Sequence, residues 1–178
     1  MNETTRKQFL PLSIGRALAL QAMYQAEANS SAGRDWADLL DSYCEETQIE
    51  LSSEERDGAI RFALRLFYGL SERLSELDQK LNKALDRRTL KNTTLVDRNI
   101  LRVGAYEALF IKTPKAVVIS EAIELALQFG SKNSIRFING VLDRVVSASE
   151  EQGDAAEKNS LDSSKLPEPS SGNEGSLS

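Results

Sequence analysis

Histidine is absent from this 178-residue chain, and cysteine occurs once, at Cys44. Without histidine, the commonest general base and the commonest metal ligand are both missing. A single thiol rules out a Cys/His metal cluster and an intramolecular disulfide, and Cys44 reads as a small buried hydrophobe. A Ser-His-Asp triad is excluded for the same reason as the metal site. Neither a GxGxxG nor a GxxxxGKS/T phosphate loop occurs. Carboxylate or lysine chemistry remains open, but these absences favour a binding protein over an enzyme, with no metal and no cofactor. Glu121 and Glu124 lie three apart on one helical face, yet no partner residue is positioned beside them. They read as a solvated polar stripe rather than an acid/base pair.

Other shortages bound the fold and its setting. No apolar run reaches the roughly 18 residues that suggest a membrane span. The opening MNETTRKQFLPLS has two basic residues but neither the apolar stretch nor the small-residue cleavage site of a secretory signal. A cytoplasmic protein with no membrane partner is the expectation. Aromatics make up 6% and prolines number 4, while Ala, Leu, Glu and Arg are plentiful, which favours an all-α domain.

Charge is unevenly divided. Residues 150–178 hold seven acidic side chains and two basic ones, which accounts for the whole net charge of −5. Residues 1–149 are therefore neutral, with 20 acidic and 20 basic residues. The tail is rich in Ser, Gly, Pro and Glu and nearly free of apolar residues. It lacks the apolar surface needed to offset the entropy of ordering, so it reads as disordered. Its acidity does not argue against RNA binding by the rest. Three parts are expected: a loose arm over residues 1–12, a helical domain over 13–149, and the acidic tail over 150–178.

Helical signals run through the middle part. Ser13 can cap a helix over residues 14–29. A shorter helix over 34–46 places Trp36, Leu39, Leu40 and Tyr43 at 3–4 spacing. Ser52 with Glu55 forms a capping-box signature. It opens a long helix whose apolar residues, from Ile60 through Phe67, Leu74 and Leu81 to Ala84, repeat 3-4-3-4. That repeat suits either a coiled coil or a helix packed along its own domain, and the second reading is preferred because only one such segment exists. A connector, DRRTLKNTTL, covers 86–95. Thr94 with Asp97 marks a second capping box, and the helix it opens runs to about Lys112. Pro114 begins the next helix and Gly130 caps it. The last helix starts at Ser131 or Asn133 and ends near Ser147. About six or seven helices are expected, with no strand of period-two alternation.

The most informative block runs from Val96 to Val146: VDRNILRVGAYEALF, PKAVVISEAIELALQFG and SIRFINGVLDRVV. Its first two helices are apolar nearly all round, which calls for burial on all sides. In the third, Ile135, Ile138, Leu142 and Val145 form one core-facing stripe, with Asn133, Arg136, Phe137 and Asn139 at or near the N-terminal end. Gly140 costs about 1 kcal/mol relative to alanine inside a helix, and is put down to close approach by a neighbouring helix. Near the start, GRALALQAMY places Arg16 one turn ahead of Gln21-Ala22-Met23-Tyr24.

These motifs together closely resemble the NusB family, bacterial transcription antitermination factors that bind RNA. The likeness covers roughly residues 13–146 and is sharpest over 97–146. It implies a compact helical bundle that pairs with the ribosomal protein NusE and, with it, binds boxA RNA of nascent ribosomal RNA transcripts. Through other Nus factors the complex would then help transcribing RNA polymerase pass terminators. The RNA residues carried over are Arg16 and Arg136 for phosphate, Tyr24 and Phe137 for stacking, and Asn133 for hydrogen bonding. An acidic residue near Asp97 contacts NusE in the family, although capping also accounts for Asp97. Where the family usually has several arginines, this chain has Leu12, Ser13, Ile14 and Gly15. Arg6 and Lys7, farther upstream, are candidate substitutes. Arg16 and Tyr24 also admit a plainer reading, as a solvated charge and a core-edge aromatic, and Phe137 as core packing. Two other functions fit the same residues: an RNA-binding module in ribosome assembly or RNA modification, and a helical scaffold that binds only protein. Whether the chain forms a homodimer is left open.

Overall fold

The computed structural model describes the backbone of residues 3–28, 35–86 and 88–162, with side chains described for 10–28, 35–86 and 88–149. Among the described residues there are seven α-helices and no strand. They are α1 (Glu3–Ala28), α2 (Trp36–Thr47), α3 (Ser53–Glu72), α4 (Leu74–Ala84), α5 (Leu95–Tyr106), α6 (Lys115–Phe129) and α7 (Ser134–Asp162). A single 3-10 turn, Leu90–Asn92, lies in the α4–α5 connector, and a π-helical turn, Glu107–Ile111, continues α5.

Several starts follow from local chemistry. Ser52 accepts from the Glu55 N–H, and the Glu55 carboxylate takes the Ser52 N–H at 2.8 Å, a complete capping box. Asp35 caps α2 through the amides of Ala37 and Asp38. Thr94 accepts from the Asp97 amide at 3.1 Å, but Asp97 does not return the bond: its Oδ1 is buried without a hydrogen-bond partner. Only half of the second box is formed.

Elsewhere the boundaries differ from expectation. α1 begins at Glu3 rather than Ser13 and carries Pro11 within it, so residues 3–12 are helical instead of a loose arm. Pro11 rests against Gly58 of α3, and Ser13, instead of capping, donates to Glu121 Oε1 at 3.1 Å. The long helix expected after Ser52 is interrupted at Arg73, which leaves the helical region (φ −112°, ψ 14°). α7 runs on to Asp162, well into the segment read as disordered, and residues 163–178 lie outside the described part.

The core centres on α5, which contacts α1, α3, α4, α6 and α7. Asn99 through Tyr106 are all buried, as expected for a helix apolar nearly all round. α6 does not share that position: it buries Val118, Ala122, Leu125 and Ala126, while Leu127 is 60% exposed. α1 lies along α3, and the absence of a side chain at Gly15 lets the two come close. A Cβ there would sit 2.8 Å from the Ala59 carbonyl oxygen and 3.0 Å from Phe62 Cδ1. Gly69 similarly makes room for Tyr106, whose hydroxyl occupies the space of the missing Cβ. α3 and α4 pack within the domain, burying Ala63, Leu70, Leu77 and Leu81, so no coiled coil is needed to explain the 3-4 repeat.

Candidate nucleic-acid interface

The first turns of α7 divide cleanly. Ile138, Val141, Leu142 and Val145 are buried, and Ile135 and Phe137 are half-buried against the core. On the outer face Asn133, Phe137, Gly140 and Arg144 follow one another at 4-3-4 spacing, which places them in one stripe. Asn133 and Arg136 are exposed.

The α4–α5 connector lies against this stripe. The Arg88 guanidinium stands over the Phe137 ring, 5.7 Å from its centroid, within the range of a cation–π contact. Leu85, Asp86, Arg88, Phe137 and Arg144 line one open groove. Arg144 is held in place by Asp86 at 2.6 Å and by the Gly140 carbonyl at 3.1 Å. Arg88 and Arg136, both exposed, have no carboxylate partner among the described residues. The groove therefore offers one cation without a carboxylate partner, a second held by one carboxylate, and an aromatic face.

A polar network ties α1 to the same side. Glu27, one turn after Tyr24, pairs with Arg98 at 2.6 Å and Arg102 at 3.1 Å. Arg98 also donates to the Leu90 carbonyl at 3.1 Å, within the connector that carries Arg88. Arg102 is held by Asp78 through two bonds of 2.8 and 2.7 Å. Burial works against its charge, yet the Asp78 and Glu27 carboxylates hold its pKa above the ordinary arginine value. Tyr24 is 42% exposed, so its ring is accessible on this side. At the start of α5, Asp97 Oδ1 and Arg98 Nε are both buried without hydrogen-bond partners.

Arg16 requires a correction. It is only 4% exposed. Its Nε and Nη2 each bond Glu107 at 2.7 Å, and its Nη1 meets Glu121 at 3.1 Å. A guanidinium enclosed by two carboxylates cannot serve as a surface phosphate contact. Helix α1 turns Arg16 toward α6 and the π-helical turn because Glu107, 1% exposed, needs a cation inside the fold. The same contacts commit Glu121, which is no member of an acid/base pair. Gly140 also departs from expectation. A Cβ built there would meet nothing within 4 Å, so no neighbouring helix explains it. The side chains of Arg6 and Lys7 lie outside the described residues.

The sequence model of the NusB family matches residues 13–147. The chain belongs to the NusB family. A transcription antitermination protein NusB from Campylobacter lari is 36% identical over 130 residues, covering 73% of this chain and 91% of that protein. Among solved structures, NusB of T. maritima is 33% identical with a TM-score of 0.59, covering 76% of this chain and 90% of that one. A structure of antitermination factors NusB and NusE in complex with double-stranded RNA is 23% identical with a TM-score of 0.59, covering 76% of this chain and 96% of that one. At that identity it bears on the fold alone. Membership sets the chain among antitermination proteins rather than enzymes, and among the described residues no helix is long and apolar enough to cross a membrane.

Within a NusB-family chain, sequence reasoning missed Arg88 and Arg144 as neighbours of Phe137. Arg144 was legible, since it falls seven residues after Phe137 on the same helical face. Arg88 sits in a connector without periodicity, where sequence spacing gives no facing partner.

Proposed function

We propose that this NusB-family protein is a transcription antitermination factor that binds boxA-type RNA of nascent ribosomal RNA transcripts together with NusE. The observation that carries the reading is the Phe137 groove. An aromatic face lined by Arg88 and Arg144 suits an unpaired RNA strand, since bases stack on the ring and arginines meet the phosphates. Tyr24, Asn133, Arg136 and Phe137 contact RNA, joined by Arg6 and Lys7 near the start of α1. Asp97 contacts NusE. Other Nus factors link the complex to RNA polymerase, and no catalytic turnover or cofactor is involved.

Of the groove's two cations only Arg88 lacks a carboxylate partner, so RNA affinity without a partner is low and a basic partner adds phosphate contacts. The test is a fluorescence-anisotropy titration of a boxA-like RNA and a scrambled control, each with and without NusE, at several salt concentrations. NusE should strengthen boxA binding markedly, with affinity falling steeply as salt rises. Equal affinity with and without NusE would refute the division of labour. Absence of salt-dependent RNA binding under every condition would leave a protein scaffold in place of an RNA-binding factor.

A further inference from the structure

A second concave surface adjoins the Phe137 groove. Helices α4 and α7 enclose a cleft of about 260 Å³, lined on one side by Lys80 and Lys83 and on the other by Arg144 and Ala148. Each pair stands three or four residues apart and so shares a helix face. Leu109 of the π-helical turn, nearly buried, adds an apolar lining. Three cations thus meet around one carboxylate, Asp86, which is bonded to Arg144 at 2.6 Å. Lys83 has no carboxylate partner among the described residues, and Lys80 reaches Glu76 only at 3.9 Å. The helix dipole accounts for Lys83, in the last turn of α4, but not for its convergence with Lys80 and Arg144. Residues 1–149 carry equal numbers of each sign, so the excess is local, and its complement is an anion.

Continuity decides which anion. The cleft and the Phe137 groove share Asp86 and Arg144, so a strand lying in the groove runs into the cleft without a break. A third groove, lined by Ser13, Glu121 and Glu124, has no cation in its lining and repels phosphates. We propose that the α4–α7 cleft is a phosphate-binding extension of the RNA site. Lys80 and Lys83 hold the backbone of the strand beyond the nucleotides at Phe137, and Arg144 stands at the junction. This rests on the RNA-binding reading above and adds a site which that reading does not use. With no aromatic ring in its lining, the cleft takes sugar and phosphate and reads no base.

RNA length tests the proposal. A boxA-like RNA with long flanks is trimmed nucleotide by nucleotide from each end and titrated in the presence of NusE. The full-length parent chain is compared with the double variant Lys80→Gln, Lys83→Gln. For the parent, trimming one end should cost affinity whatever the bases removed. For the double variant, trimming that end should cost nothing. On the long RNA the double variant should reduce the slope of log affinity against log salt by about 1.4, two phosphates at about 0.7 each. On the trimmed RNA the two slopes should agree. Ala148→Glu, at an exposed position on the cleft wall, provides a second line: it should weaken binding of the long RNA only. Neither variant alters the core, so both should melt close to the parent. Unchanged long-RNA affinity in both variants, while the parent binds RNA normally, overturns the extension and leaves the functional reading standing. Equal losses on long and trimmed RNAs also overturn it, since they report a diffuse field instead of a seat. Loss of NusE binding with NusE-free RNA affinity intact assigns the cleft to a protein contact and overturns it too. Failure of the parent to bind RNA at all removes both this inference and the reading beneath it.

Discussion

Replacing Arg16 with alanine should damage the fold and not the RNA surface. Three contacts fix the expected size. Arg16 bonds both oxygens of Glu107 at 2.7 Å and reaches Glu121 at 3.1 Å. Thr113 donates to Glu107 at 3.2 Å, and no other cation is paired with Glu107 among the described residues. With Glu107 1% exposed, removing the guanidinium strands a charge in the interior, which costs about 3–5 kcal/mol. For a domain of this size each kcal/mol moves the melting temperature by about 2–4 °C, so Arg16→Ala should melt some 6–20 °C lower. Arg16→Lys should recover only part of this, since one ammonium cannot reproduce the bidentate fork and reach Glu121 as well. Arg16→Met combined with Glu107→Gln should recover more, because it removes charge from both sides while an amide can still accept from Thr113. Thermal unfolding by circular dichroism measures each variant, and the loss should persist in high salt because the pair is screened little. An Arg16→Ala protein that melts within about 2 °C of the parent while losing RNA affinity would refute this assignment and return Arg16 to the phosphate contacts.

Four further outcomes are expected. Tyr24→Ala should leave the melting temperature nearly unchanged and weaken RNA binding by about 1–3 kcal/mol, read by anisotropy; unaltered affinity would make Tyr24 a bystander. Asp86→Asn should tighten RNA binding several-fold at low salt, since it frees Arg144 and removes the groove's one carboxylate, and weaker binding would show that Asp86 positions Arg144 productively. Gly69→Ala should destabilise by about 1–3 kcal/mol through overpacking, because its Cβ would lie 1.9 Å from the Tyr106 hydroxyl. Combined with Tyr106→Leu, the losses should be less than additive, and simple additivity would show that the two residues do not collide. Truncation after residue 149 removes seven acidic and two basic side chains, so low-salt RNA affinity should rise if the tail competes for the cations; equal affinities would reduce the tail to a solubilising appendage.

Much of the helix content was legible because its signals are local. Ser52 and Glu55 form the capping box that their spacing announces, and the apolar run of α5 is buried on all sides. The break at Arg73 was not legible. Leu70, Leu74, Leu77 and Leu81 keep their 3-4 spacing across it because both helices face one core, and neither glycine nor proline marks the interruption. A hydrophobic period reports which residues are buried, and it continues through a break that leaves the same face inward. The length of α1 was obscured by Pro11, which usually ends a helix but here sits within one, against Gly58.

Arg16 and Gly140 show why the candidate site was only half legible. Both were assigned by what their residue types usually do: arginine on a surface meets phosphate, and glycine in a helix admits a neighbour. Their contacts reverse both assignments. Glu107, 91 positions away in sequence, draws Arg16 inward, and no spacing argument reaches that far. At Gly140 a Cβ would meet nothing within 4 Å among the described residues. The exchange nevertheless makes physical sense. A buried ion pair fixes the packing of α1 against α6 and the π-helical turn, while α7 and the connector keep Arg88 and Arg136 exposed and without carboxylate partners among the described residues. Cations already neutralised inside a fold add nothing to the counterion release that drives RNA binding. The salt dependence of RNA affinity should therefore respond to Arg88, Arg136 and Arg144, and not to Arg16. A series of single alanine variants would show it directly, and a salt slope that falls only in the Arg16 variant would reverse the division.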